Sequence, residues 1–219
     1  QSLDIIIEVM GGISPAKEYI FSALKKRISV VSANKDLVSL HGPEIIHMAI
    51  EKHVNFSCEA SVGGGIPILM PLHQSLATNR IDSIVGILNG TTNYILTQMM
   101  ETGQSYDEAL KEAQSEGFAE ADPTNDVCGF DAARKLAILS SIGFRANVTF
   151  EDVIVEGITK ISPNDIKYAK EMGYTIKLLT VALRHDNGIS LNVYPAFVPR
   201  NHPMASVQAS YNAIYVTGN

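Results

Sequence analysis

Tryptophan is missing from the chain, cysteine occurs only at Cys58 and Cys128, and charged residues make up just 18% of the sequence. That is below the roughly 25% of an average soluble domain. Each shortage removes a class of function. The two cysteines lie far apart, without CxxC spacing or a histidine cluster, which leaves no disulfide framework or zinc site and makes a reducing cytoplasm the expected compartment. Lys and Arg total 17 against 23 Asp and Glu, for a net charge of −6, so the clustered positive charge that grips a nucleic acid is lacking. No apolar run reaches the roughly 18–20 residues of a membrane span. The first residues lack the basic start and small-residue cleavage site of a secretory signal. The six histidines are scattered, and none adjoins a serine elbow or a cysteine, which leaves no hydrolase triad. There is neither a GxGxxG fingerprint nor the Lys-Ser/Thr of a P-loop.

What is present is apolar material, 46% of 219 residues, enough for one large domain or two small ones. The first third alternates strand and helix. "LDIIIEVM" is an apolar run of the kind expected for a strand buried on both faces. Ser14 and Pro15 supply a cap and first position for a helix through about Arg27. "ISVVSA" is a second strand, Gly42-Pro43 precedes a helix over "EIIHMAIEKH", and "VNFSCEA" is a third strand. Such alternation with short links predicts a parallel, doubly wound sheet, with ligands beyond the carboxyl ends of its strands, where "SANKD" falls. The boundary is expected near 58–60, dividing the chain into 1–58 and 59–219.

Beyond it, the glycine loop "SVGGGIP" leads toward a helix over "IPILMPLHQSLAT", and "IDSIVGIL" is a strand running into "NGTTN" and a helix. Ser105 and Glu108 form a capping box. A helix opens at Asp122-Pro123 or Asp126 and runs to Gly143. Ser162-Pro163 starts a short helix, and Asn187-Gly188 is a hairpin signal implying antiparallel strands. The chain opens and closes in strand-like sequence, as a piece of a longer polypeptide would.

The chemistry concentrates in "EGFAEADPTNDVCGFDAARKLAIL", residues 116–139. Asp131 and Lys135 stand four apart and share a helix face. Their plain reading is an intrahelical ion pair. The flanks add more, because Lys135 enters the apolar run "LAILSSIGF" just after Glu120, Asp122 and Asp126. A lysine there can be driven down by burial or held by a carboxylate, and can then donate or accept a proton. Acids beside one lysine suit a zwitterion: carboxylates meet its ammonium, and the lysine meets an oxygen. "NGTTN" offers helix-start amides for a carboxylate or is an ordinary N-cap. "SANKD" is a polar strand exit or a place where Lys35 leans over the sheet edge toward a nucleotide. "SVGGGIP" reads as a tight turn. Cys128, among carboxylates and apolar residues, reads as buried packing.

Taken together, "VVSANKDLVS", "EASVGGGIPIL...ILNGTTNYIL" and the 116–139 run resemble homoserine dehydrogenases across nearly the whole chain. "EVMGGISPAKEYIFSALK" is similar to the end of that family's nucleotide-binding domain. The resemblance implies an α/β protein: the C-terminal part of a Rossmann-type parallel sheet, then an α+β catalytic and dimerisation unit with a mixed or antiparallel sheet. It implies NAD- or NADP-dependent interconversion of L-homoserine and L-aspartate 4-semialdehyde, a branch-point step toward threonine, methionine and isoleucine. By the same resemblance Lys135 and Lys35 are catalytic, and Glu120, Asp126, Asp131, Gly90 and Thr91 bind substrate. Lys35, Asn34 and Ser32 border the cofactor, and Glu59, Val62, Gly64 and Ile66 offer main-chain carbonyls to a sodium ion. The family's glycine-rich fingerprint is expected upstream of Gln1 and a second glycine-rich segment after Asn219, so this piece alone is expected to be inactive. Alternatives are an inactive dimerisation fragment and a related amino-acid semialdehyde reductase; an acylating one would need a Cys-His pair. A homodimer or higher homo-oligomer is the expected assembly.

Overall fold

A computed structural model describes residues 3–219. Three parallel strands, β1 (Ile5–Glu8), β2 (Ser29–Ser32) and β3 (Phe56–Ser57), form the first sheet in the order β1-β2-β3. The crossovers are α1 (Ala16–Lys25) and α2 (Lys35–Lys52). Ile20, Leu24, Leu37 and Ile45 make the core between helices and sheet. Both helices cover one face only. β1 therefore departs from the expectation of a strand buried on both faces: Ile5 is 59% and Ile7 71% exposed, while Glu8 is buried.

Helix α2 also departs from expectation. It starts at Lys35, capped by Asn34, whose side chain accepts the Leu37 amide at 3.1 Å, and it runs straight through Gly42-Pro43. An interior proline costs about 3 kcal/mol. Burial of Leu37, Val38, Ile45 and Ala49 on both sides of it outweighs that cost. β3 is only two residues long because the chain turns at Glu59–Ser61 into a single 3₁₀ turn. The helix expected over 66–78 shrinks to one short π-helical segment, Pro71–Ser75.

The second sheet has the order β5-β7-β6-β4-β8 and is mostly antiparallel. Its strands are β4 (Ile81–Ile87), β5 (Ile154–Val155), β6 (Tyr174–His185), β7 (Gly188–Pro199) and β8 (Ala213–Gly218). Helices α3 (Gly90–Thr102), α4 (Tyr106–Ser115), α5 (Thr124–Val127), α6 (Phe130–Phe144) and α7 (Pro163–Glu171) complete the unit. Alternation decides what each strand buries. Ile84, Ile176, Leu178, Ala182, Leu191 and Val193 belong to the main core together with Ile95, Leu136 and Leu139 of the helices. Leu183, Tyr194 and Tyr215 are exposed; pairing of Leu179 with Tyr194, and of Val181 and Tyr215 with Val85, puts them on the opposite face.

The capping box expected at Ser105/Glu108 forms, and Ser162 starts α7 as expected, with Asp165 completing a second box. The single helix expected from 122 or 126 to 143 is broken at Gly129 (φ +84°) into α5 and α6. The hairpin of β6 and β7 turns at Asp186-Asn187, with His185 paired to Gly188, one residue earlier than expected. Among the described residues no helix is long and apolar enough to cross a membrane.

Candidate active site

β4 carries the chain to the site and the start of α3 shapes it. Asn89 caps α3, its Oδ1 accepting the Thr92 amide at 2.9 Å. Its Nδ2 donates to Asp126 Oδ1 at 2.7 Å and Asp131 Oδ2 at 2.9 Å. An asparagine does both tasks because it accepts through one atom and donates through the other. Next to it, Thr91 donates to the Phe118 carbonyl at 2.8 Å and lies 3.0 Å from Asp126 Oδ2.

Helix α6 brings the other half. Lys135 Nζ donates to Asp131 Oδ2 at 2.7 Å and to the Leu88 carbonyl at 2.8 Å. Lys35, the first residue of α2, arrives from the other sheet, its Nζ 3.0 Å from Asp131 Oδ1. One carboxylate, 5% exposed, thus holds two ammonium groups. Burial alone would push Asp131 up; Lys135, Asn89 and Lys35 outweigh it and hold the carboxyl below its ordinary range. For Lys35, burial pulls down, but Asp131, and then Asp36 and Asp126, raise it above the ordinary lysine value.

Lys35, Glu120, Asp126, Asp131 and Arg134 line a cleft of about 160 Å³ between the start of α2, the 120–126 segment and α6. Six of the expected residues therefore meet here: Lys35, Lys135, Glu120, Asp126, Asp131 and Thr91, with Gly90 beside them at the start of α3. Asp122 also lines the cleft, but its carboxylate is taken by Thr124, 2.6 Å to the hydroxyl and 3.1 Å to the amide, which holds it low.

Ser32 and Asn34 are buried and look the other way. Ser32 donates to Glu8 Oε2 at 2.7 Å, and Asn34 donates to the Gly12 carbonyl at 2.6 Å. They fix the loop after β1, where Val9, Met10 and Ile13 are exposed and nothing lies within 4 Å of the positions a Cβ would take on Gly11 or Gly12. The glycine loop is the tight turn its sequence suggests: Gly63, Gly64 and Gly65 all have left-handed φ. The Glu59 carboxylate accepts the amides of Ile68, Leu69 and Met70 at 2.6–2.8 Å. Cys58 is buried and its thiol is pushed up to about 11 by burial, which makes it inert. Cys128 is only half-buried, against the expectation of full burial, because it ends the short helix α5 at the rim of the core.

Asn89 and Arg134 escape sequence reading. Asn89 has only the N-cap signal of "NGTT". Arg134, whose Nε lies 3.1 Å from Asp36 Oδ1 and whose guanidinium stands 4.9 Å from the Phe150 ring centre, has none, since its partners come from distant segments.

Residues 67–219 match the family model of homoserine dehydrogenase. A curated homoserine dehydrogenase of Bacillus subtilis is 49% identical over 216 residues, 99% of this chain and 50% of that protein. The crystal structure of a homoserine dehydrogenase from Thiobacillus denitrificans is 46% identical with a TM-score of 0.96, over 99% of this chain and 50% of that one. A hyperthermophilic archaeal homoserine dehydrogenase in complex with NADPH is 28% identical, with a TM-score of 0.85, over 99% of this chain and 62% of that one. The chain spans about half the length of the curated relatives it matches.

Proposed function

The chain belongs to the homoserine dehydrogenase family, and on that footing we propose that it carries the catalytic region of an enzyme that interconverts L-homoserine and L-aspartate 4-semialdehyde, within amino-acid biosynthesis in the cytoplasm. The observation that carries this reading is the buried Asp131 bridging Lys35 and Lys135 at the wall of an acidic cleft. Homoserine presents an ammonium, a carboxylate and a hydroxyl. Glu120 and Asp126 answer the ammonium, and the first amides of α3, at Gly90 and Thr91, answer the carboxylate through their unpaired N–H groups and helix dipole.

Lys135 takes the hydroxyl. In reduction its ammonium donates to the carbonyl oxygen, stabilises the charge that develops there and delivers the proton. In oxidation the same side chain, without its proton, accepts one from the hydroxyl. Asp131 keeps Lys135 aimed, and Lys35, tied to the same carboxylate, adds a second positive charge beside the reacting carbon. A nicotinamide dinucleotide, NAD or NADP, supplies the hydride acceptor or donor when bound. The open loop 9–13 beside Lys35 leaves room for it, and contact from Ser32 and Asn34 would run through their main chain, because their side chains are engaged with Glu8 and Gly12. In this reading residues 1–58 close a dinucleotide-binding domain, and residues 59–219 form the substrate-binding and dimerisation unit. A sodium ion at the glycine loop would use the carbonyls of Glu59, Val62, Gly64 and Ile66. The exposed sheet face with Leu183, Tyr194 and Tyr215 suits a second copy, which light scattering on the intact protein would reveal as a doubled mass.

The test is substrate truncation. The intact protein is expected to oxidise L-homoserine with NAD or NADP, and to lose about a hundredfold or more in kcat/KM with 3-aminopropan-1-ol, which leaves the α3 amides unanswered. No turnover of homoserine, or equal turnover of the truncated alcohol, overturns the reading.

A further inference from the structure

Lys177 of β6 is 2% exposed and lies outside the cleft. β4 pairs with β6 only as far as Gly86 opposite Thr180, so Lys177 sits past the end of β4, where the chain has turned into α3. Its ammonium donates to Asn93 Oδ1 at 2.8 Å and to the Val207 carbonyl. Asn93, also buried, spends its two amide protons on the carbonyls of Val207 and Tyr211, both at 3.1 Å. Burial pushes the Lys177 ammonium down to about 8, eased by Glu101 farther along α3. Both of its bonded partners are neutral oxygens. A buried charge held in this way is poor stabilisation compared with an apolar residue of equal volume, so its value lies in what it orders.

What it orders is the strap between β7 and β8. This strap begins as a 3₁₀ turn, Pro203–Ser206, anchored by Met204 against Ile87 and Val198. It then passes Val207 and Tyr211, and Ser210 lies flat on the first residue of α3: a Cβ on Gly90 would stand 2.8 Å from the Ser210 carbonyl oxygen. Gly90 follows Asn89, which holds Asp126 and Asp131, and Leu88, which receives Lys135. The strap is thus one contact away from the whole constellation.

We propose that Lys177 is a positioning residue for the cleft: with Asn93 it clamps residues 207–211 onto the first turn of α3 and so fixes the amides of Gly90 and Thr91 that receive the substrate carboxylate. This deepens the homoserine reading and rests on it. Lys177→Met keeps the volume and removes the donor. In the intact protein it is expected to raise KM for homoserine about tenfold while KM for NADP stays within about twofold, the pattern of lost substrate binding at one subsite. Chymotryptic cleavage after the exposed Tyr211 is expected to accelerate, and Lys177→Arg to restore both readouts in part. A folded Lys177→Met protein with unchanged homoserine KM, or with both KM values moved alike, overturns the proposal. Should that variant not fold, Asn93→Asp serves: it keeps a partner for Lys177 but turns a carboxylate toward two carbonyls, and an unchanged homoserine KM there is equally fatal. If the wild type does not turn over homoserine, the functional reading fails on its own, and the clamp is decided by proteolysis: faster cleavage at Tyr211 in the variant upholds it, equal cleavage removes it.

Discussion

Asp131 does the work of a counter-ion for two ammonium groups at once, and that defines what its loss must do. In Asp131→Asn one oxygen becomes a donor facing Lys135 and Asn89, both donors themselves. Turnover of homoserine is expected to fall about a hundredfold, since the proton-transferring lysine is no longer aimed, and urea unfolding is expected to show a loss of roughly 1–3 kcal/mol at neutral pH. The pH dependence follows from the sign of the shift. The folded carboxyl lies below 3.8, so its contribution is present above that value and disappears as the pH falls through the lower folded one. Lys35 runs the other way: raised above 10.5, its contribution is intact below 10.5 and is lost at higher pH. A wild-type minus Asp131→Asn difference that stays constant into acid contradicts the assignment. At this scale the sequence is legible where partners are local. Asp131 and Lys135 are one helical turn apart, and the acids crowd in ahead of them. Lys177 is not legible, because in "YTIKLLTVA" it looks like an outward-facing residue of a strand, and its partners lie 84 and 30 residues away.

Gly129 decides how the elements meet the site. Its left-handed φ separates α5 from α6, which starts one residue before Asp131. A Cβ there would come within 3.0 Å of Val155 Cγ1 and 3.2 Å of Val193 Cγ1. Gly129→Ala combines backbone strain with a clash and is expected to lower stability by about 1–3 kcal/mol, seen as a lower melting temperature, together with reduced turnover because Asp131 shifts. An unchanged melting temperature would mean that the break between α5 and α6 is not enforced here. Start signals were readable at Ser105 with Glu108, at Ser162 before α7 and at Asn89 before α3; at α1 the cap falls on Pro15 and not on Ser14, and no side chain caps the helix. Helix α2 was not, since Gly42-Pro43 is a local stop signal overridden by the burial of Leu37 and Val38 before it and Ile45 and Ala49 after it. The exposure of β1 was hidden for a related reason: an apolar strand states that it needs cover, not how much of it the two helices of this sheet provide.

Across the whole molecule, the two units meet where α2 packs on α6, at the ion pairs of Lys35 with Asp131 and Asp36 with Arg134. Global stability should also register the buried Lys177. Its folded value of about 8 lies below 10.5, so between the two the unfolded chain holds a proton that the folded chain has released. Stability contributed by this group therefore rises with pH across that window, by up to about 3 kcal/mol. Subtracting the curve of Lys177→Met from that of the wild type isolates the rise; parallel curves from pH 8 to 10.5 contradict it.

Whether Lys135 moves the proton of the reacting hydroxyl is decided by Lys135→Ala in the intact protein, with kcat for homoserine and Kd for NADP measured side by side. A fall in kcat of about 10²- to 10⁴-fold with Kd for NADP unchanged is expected. Turnover near that of the wild type would contradict it.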